Sequence, residues 1–386
     1  MANILIIFKK FDYIENLFFT KITKQSNHTL YKILLEEEIS ENINLEISKI
    51  NELIIKKKIK YVFFQGDFLT IVNHFFIKKI DAEKKIFFTF DDFENHTTNL
   101  ISSNSCNIIL SACPASVLKY KEQGYNSHYF DNTFFHQDNL NNICKEKKYD
   151  VLFYGEKKAD RKEYIDYLIK NNIKVKLVGT IVNNYITEDE LDNVISQSKI
   201  ILDFSKGDVK SKYEQNKFIK SIYHIKGKFL RAGILNSLAL IEYAPQLNLL
   251  FSGLNTFNNK EELLNMVKDL LQNSKKLDDE TKKFHNICKN HIEKYSFENL
   301  IKVIENSDRI NPKITIPPWY YNICTLQFLR NFSKKMNLID FLKSMFFYDS
   351  LNSLKSSYLN IIYFLKKIIF LPYYILRNIL KNYFST

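Results

Sequence analysis

Glycine and proline are scarce in this chain: eight and six among 386 residues. So few chain breakers exclude long disordered linkers of the Gly/Ser or Pro-rich kind. Cysteine is scarce too. The five cysteines (Cys106, Cys113, Cys144, Cys288, Cys324) are odd in number, and none forms a CxxC pair. That spacing speaks against a zinc knuckle and a disulfide framework, and it fits a reducing cytosol. The N-terminal residues MANILIIFKKFD lack a basic n-region and a small-residue cleavage site, so they read as a first buried strand rather than a signal peptide. Long apolar runs are also missing. The longest uncharged ones, Ser356–Leu365 and Ile368–Leu376, are separated by Lys366-Lys367. Both fall short of the roughly 20 apolar residues that span a bilayer. No short-period repeat is present.

What is abundant is Lys, Asn and Ile, the usage of AT-rich bacterial genomes, and hydrophobic residues at 45%. That is enough for the cores of two ordinary domains plus an extension. The net charge of +12 is unevenly placed: residues 311–386 carry eight Lys, two Arg, two Asp and no Glu, or +8. The same segment holds 17 of the 56 aromatic residues. Lys and Arg beside Trp, Tyr, Phe and Leu make an interfacial membrane helix the expected role of this tail. A helical appendage packed on its own domain is the plainer alternative. Nucleic acid is not expected as a partner, because the tail is too apolar and no recognition motif accompanies the charge.

Two alternations of short apolar runs with helical stretches precede the tail. In the first, strands are expected at Ile4–Phe8, Tyr61–Phe64, Ile86–Phe90, Asn107–Ser111 and His128–Phe130, with a mixed helical region up to Lys58. Residues 139–148 are charged and Asn-rich, which places a boundary there. In the second, strands are expected at Asp150–Tyr154, Val175–Val178, Ile200–Phe204 and Leu238–Ile241. This is the pattern of βαβ units and parallel sheets. The chain therefore divides into residues 1–143, 148–310 and 311–386.

The segment from 200 to 264 carries the strongest chemical signal. A buried strand ends in a polar loop, a short helix begins with Lys228 and Arg231, and an apolar run ends in Glu242. Strand ends and helix N-termini are where open α/β sheets hold phosphorylated ligands. Cations three residues apart share a helix face and form a candidate diphosphate clamp. A solvated helix turn is the plainer reading. Gly155 follows a buried strand and suits a tight βα turn. In the first half, Asp91, Asp92 and His96 follow strand Ile86–Phe90, where a carboxylate or imidazole can take a proton from an acceptor hydroxyl. Loop polarity and N-capping compete with that reading, as does a DxD-type metal site, against which the second Rossmann-like half argues. The single histidines His74 and His136 read as packing or surface residues.

DVLFYGEKKADRKEYIDYL resembles the strand, glycine and Arg-headed helix that open the C-terminal half of CgeB-like, group 1 glycosyltransferases. KIILDFS followed by KGKFLRAGILNSLALIEYAPQLNLLFSGLNTFNNKEELLNMVKDLL resembles their donor-binding region. KKIFFTFDD and NIILSACPASVLKYKEQGYNSHYFDNTFFHQ resemble the acceptor-domain strands. The likeness covers about residues 1–305. It implies a GT-B fold, with two Rossmann-like domains facing across a cleft and a helical basic-aromatic extension beyond them. It implies a metal-independent transferase using a nucleotide-sugar as substrate, without a cofactor. Lys228 would neutralise the departing diphosphate, Gly155 would give the donor room, Arg161 would head the next helix, and Glu242 matches a family carboxylate. Two positions depart: Arg231 stands at the ribose-binding carboxylate, and Ser237, after Asn236, at the turn glycine.

The expectation is a bacterial glycosyltransferase, peripheral to the cytoplasmic face of the inner membrane. It would act on a lipid-linked or cell-surface glycan acceptor, such as capsule or lipooligosaccharide. A non-catalytic GT-B-like glycan- or lipid-binding partner of a synthase is the second reading. Transfer of a phosphoryl-type group is the third.

Overall fold

The computed structural model describes residues 1–9, 19–20, 22–24, 26–35, 43–66, 74–90, 92–130, 146–156, 161–179, 182, 184, 186–205, 225 and 227–307. Asp91, His136 and the whole tail from 311 lie outside the described residues.

The first sheet contains β1 (Asn3–Lys9), β2 (Thr29–Leu35), β3 (Ile59–Gln65), β4 (Lys84–Thr89), β5 (Ile108–Ser111) and β6 (Ser127–Tyr129). The order is β2-β1-β3-β4-β5-β6, and every pairing is parallel. Helices α1 (Ile43–Lys57), α2 (His74–Lys79), α3 (Asp92–Ser102) and α4 (Pro114–Glu122) make the crossovers. Both faces are covered, which is why β1 and β3 are nearly continuous apolar runs. Ile4, Ile6, Tyr61 and Phe63 face one core cluster, and Leu5, Ile7, Val62 and Phe64 the other.

β2 is a departure from the sequence reading, which placed a mixed helical region there. TLYKILL pairs along its whole length with β1 from Asn3↔Thr29 to Lys9↔Leu35. As an edge strand it is buried fully only at Leu35. Its polar and exposed positions therefore hide the continuous run that marks a central strand.

The second sheet contains β7 (Tyr149–Tyr154), β8 (Val175–Val178), β9 (Ser198–Asp203), β10 (Leu238–Glu242) and β11 (Thr256–Phe257). Its order is β11-β10-β9-β7-β8, again parallel throughout. The order of connection reverses at β7, with β8 on one side and β9 on the other, so the β7–β9 pair forms the topological switch point where open α/β sheets bind ligands. The helices are α5 (Arg161–Lys170), α6 (Glu188–Ser196), α7 (Lys228–Ile234), α8 (Lys260–Gln272) and α9 (Ser274–Lys294). Helix α7 lies tight on α9: a Cβ at Gly233 would sit 2.3 Å from Cys288 Sγ.

The last described helix, α10 (Phe297–Glu305), crosses back to the first domain. Phe297, Leu300, Ile301 and Ile304 join the core cluster of β1, β3 and β4. Lys84 Nζ donates to the carbonyls of Ile304 (2.7 Å), Glu305 (2.9 Å) and Ser307 (3.1 Å), neutralising the helix C-terminus. Tyr61 OH donates to Glu305 Oε1 at 3.1 Å. The end of the 148–310 segment thus packs within the core of the first domain. Among the described residues no helix is long and apolar enough to cross a membrane.

Candidate functional site

Gly155 ends β7 at φ +124°, a conformation that L side chains rarely adopt. Lys228, the first residue of α7, brings its ammonium to the same place. Nζ donates to Tyr154 O at 2.8 Å and lies 4.9 Å from the Tyr154 ring centroid. A Cβ on Gly155 would stand 2.5 Å from that Nζ. Gly179, after β8, is equally close: its own Cβ would meet Gly155 N at 3.1 Å. Two strand ends and one helix start therefore converge on an ammonium at the switch point. The helix is aimed there by Asp203, the last residue of β9, whose Oδ2 accepts from Phe229 N at 3.2 Å. A buried carboxylate at a helix N-terminus is favoured by the helix dipole. Asp203 went unremarked in the sequence, although a carboxylate between a strand and a helix is a capping signal.

Arg231 does something other than clamp a phosphate. Nη1 pairs with Glu188 Oε2 at 2.7 Å, Nη2 with Asp192 Oδ1 at 2.6 Å, and Nη2 also donates to Glu188 O at 3.1 Å. Burial alone would lower its pKa, but the charges of Asp192 and Glu188 and the hydrogen bond to Asp192 outweigh burial and hold it above the ordinary value. Its charge is spent on α6, so the two-cation clamp reduces to Lys228. Ser237 places its hydroxyl 2.7 Å from Ile195 O and 2.8 Å from Ser198 O, within reach of both carbonyls for its one proton. The left-handed turn residue is Asn236, at φ +58°, a residue type that tolerates it.

Arg161 heads α5, is buried, and donates from Nη1 to Glu156 O at 3.4 Å, tying the helix to the turn after Gly155. Glu242 is buried at the end of β10 and accepts from Ser205 Oγ at 3.4 Å. Glu242 ends β10 and Arg161 follows the loop after β7, so both lie at the carboxyl end of the sheet.

The second constellation lies in the first domain. Asp92 opens α3 and is fully buried. His96 is one turn on, so the two share a helix face. Asp92 Oδ2 meets His96 Nδ1 at 3.2 Å and Ser111 Oγ at 3.4 Å. Oδ1 accepts from Asn99 Nδ2 at 2.7 Å and Tyr120 OH at 2.8 Å. Burial pushes the Asp92 pKa up. The hydrogen bond and charge of His96, with hydrogen bonds from Ser116 and Asn99, overcome it and hold the carboxyl below the ordinary range. An ionised carboxylate only accepts, so the ring nitrogen facing it, Nδ1, carries a proton. Nε2 is buried and, among the described residues, has no hydrogen-bond partner. The cluster adjoins the domain crossing: Cys113 Sγ, two residues from Ser111, lies 3.7 Å from Gln246 Oε1 of the second domain. Sequence reasoning reached Asp92 and His96 but not Asn99, Ser111 or Tyr120, which come from a helix, a strand and the next helix. Among the described residues no group of three His, Cys, Asp or Glu is placed to hold a metal ion.

No family model and no curated protein matches the chain. Solved structures do. HepE of Anabaena, in complex with UDP and glucose, superposes with a TM-score of 0.52 at 9% identity, covering 79% of this chain and 100% of that one. The DNA-modifying enzyme β-glucosyltransferase, solved with and without uridine diphosphoglucose, gives 0.52 at 13% identity over 79% and 100%. At such identities the likeness concerns the fold. The chain has the GT-B architecture of two Rossmann-like domains.

Proposed function

We propose that the protein is a glycosyltransferase of the CgeB-like kind that moves a sugar from a nucleotide-sugar to a hydroxyl of a lipid-linked or cell-surface glycan. One observation carries this: the Lys228 ammonium, seated beside Gly155 at the switch point of the second sheet in a GT-B frame. There it meets the charge that grows on a departing diphosphate. Gly155 leaves the backbone open beside it, and Asp203 aims the helix that supplies it. Glu242 and Ser205 border the same edge and offer acceptors to ribose hydroxyls.

The Asp92–His96 pair supports a single displacement with inversion. His96 Nε2 takes the proton of the acceptor hydroxyl as its oxygen bonds to the anomeric carbon. The bond from that carbon to the diphosphate breaks, and its electron pair leaves with the diphosphate beside Lys228. Asp92 stabilises the imidazolium that results. The basic-aromatic tail, residues 311–386, would hold the enzyme at the cytoplasmic membrane face near a lipid-linked acceptor. That part rests on composition alone.

Thermal shift with a panel of nucleotides and nucleotide-sugars tests the reading. At 100 Kd a bound donor adds about 2.7 kcal/mol of stability. Stabilisation by one nucleoside diphosphate family, lost in Lys228→Ala, supports it. No stabilisation by any of them overturns it and leaves a non-catalytic GT-B-like partner. Fractionation of a chain ending at Ile310 tests the tail: it should move to the soluble fraction while still folding.

A further inference from the structure

The Asp92 carboxylate is held from two sides, and the two sides do different work. Oδ2 carries the bond to His96. Oδ1 carries the two shortest bonds of the cluster, from Asn99 and Tyr120. Asn99 is itself fixed, donating to Thr89 Oγ1 at 3.0 Å. A carboxylate gripped at one oxygen cannot rotate to exchange its oxygens, so Oδ2 stays aimed at the imidazole. Tyr120 makes a second contact that Asn99 does not. Its ring lies 4.6 Å, centroid to centroid, from the ring of His96 at 50°. Tyr120 is completely buried, and its ring is wedged on its other side against Tyr125 at 5.9 Å. The side chain thus touches both members of the pair, and its own position is fixed by packing.

We propose that Tyr120 is the positioning residue of the Asp92–His96 pair: its hydroxyl locks the carboxylate and its ring locks the imidazole, so that Nε2 is presented in one tautomer and one orientation. The inference deepens the base assignment made above and rests on it for its catalytic consequence. Its structural content, the fixed tautomer, stands independently. The hydroxyl and the ring are separable. Tyr120→Phe keeps the ring on His96 and removes only the bond to Oδ1, whereas Tyr120→Leu removes both.

The experiment uses the full-length protein labelled with ¹⁵N-histidine. Long-range proton–nitrogen correlations identify which ring nitrogen of His96 bears hydrogen, with His96→Gln supplying the assignment. The wild type should show Nδ1 protonated and Nε2 bare. Tyr120→Phe should show mixed tautomers. Its kcat should fall about tenfold, the scale of one lost hydrogen bond to a charged group, with KM for the donor unchanged. Tyr120→Leu should fall further in kcat, again without a change in donor KM. An unchanged tautomer signature together with unchanged kcat in Tyr120→Phe overturns the proposal. So does a loss confined to KM, because locking the base acts on turnover and not on donor binding. If Tyr120→Phe does not fold, Asn99→Ser is measured instead. It leaves the Tyr120 bond on Oδ1, so a single tautomer should persist there, and mixed tautomers would overturn the assignment of the lock to Tyr120. Failure of the base assignment reads differently: His96→Gln would retain kcat while the tautomer change in Tyr120→Phe persisted.

Discussion

Replacing Gly155 by alanine separates two costs that usually arrive together. The first is backbone strain. Gly155 stands at φ +124°, and holding an L residue in such a region costs of order 1–3 kcal/mol. The second is the seat of Lys228. The new Cβ would lie 2.5 Å from Nζ. The atoms it meets are the far end of a flexible side chain, so the ammonium moves and the clash itself is cheap. What is lost is the 2.8 Å bond to Tyr154 O, a hydrogen bond to a charged group worth about 1.5–3 kcal/mol. Gly124 supplies the control. It also has positive φ, +81°, but a Cβ there would meet nothing within 4 Å. Gly124→Ala should therefore show strain alone, about 1–3 kcal/mol, and Gly155→Ala about 2.5–6 kcal/mol.

The assay pairs urea unfolding of both variants with nucleotide titration. Gly124→Ala should bind a nucleoside diphosphate as the wild type does. Gly155→Ala should bind about tenfold more weakly, because the cation has left the switch point; that factor is about 1.4 kcal/mol. Equal stability loss in the two variants, with nucleotide affinity intact in both, would refute the idea that Gly155 is kept small for Lys228.

Three further outcomes follow from other contacts. Arg231→Met leaves Glu188 and Asp192 without their shared cation and should cost about 2–4 kcal/mol by denaturant titration, with nucleotide affinity preserved; an affinity loss without a stability loss would return Arg231 to the donor site. Burial lowers the His74 pKa from 6.5 to about 4, with Lys78 adding to the effect. The unfolded chain then takes up the proton first as pH falls, so stability is complete above pH 6.5 and should drop by about 3 kcal/mol on going to pH 4, a slope that His74→Gln should flatten in urea titrations at several pH values. Ile304→Ala empties a fully buried site on the first sheet; it should cost about 3 kcal/mol and lower hydrogen-exchange protection in β1 and β3 rather than in the second sheet.

The central strands were legible because burial on both faces leaves a signature in the sequence. Ile200, Ile201 and Leu202 are consecutive apolar residues, and all three are fully covered. β2 has no such signature. An edge strand has one neighbour, so half its positions face solvent, and Lys32 and Thr29 break the run without breaking the strand. The crossing helix α10 escaped for a different reason. Its apolar stripe of Phe297, Leu300, Ile301 and Ile304 is plain to read, but a stripe specifies that a helix packs and not on which domain. The partners that decide it, Tyr61 and Lys84, lie more than two hundred residues earlier in the chain.

The site divides along the same line. Lys228 and Gly155 were legible because each sits where an element begins or ends, and such positions have local meaning: a helix start collects anions, and a glycine after a strand permits a turn. Arg231 has no such local meaning. It is three residues from Lys228 on the same short helix, and on sequence grounds the two are a pair. The charge that decides its role belongs to Glu188 and Asp192 on α6, about forty residues upstream, and reaches it only through the packing of α6 near α7. A guanidinium already matched by two carboxylates at 2.7 and 2.6 Å offers a phosphate little net attraction. Lys228 is placed differently: its ammonium lies on the Tyr154 carbonyl and over the faces of Phe153 and Tyr154, beside a glycine that leaves the strand end open. The proposed donor site therefore rests on Lys228 rather than on Arg231, and Lys228→Ala should weaken nucleotide binding where Arg231→Met does not.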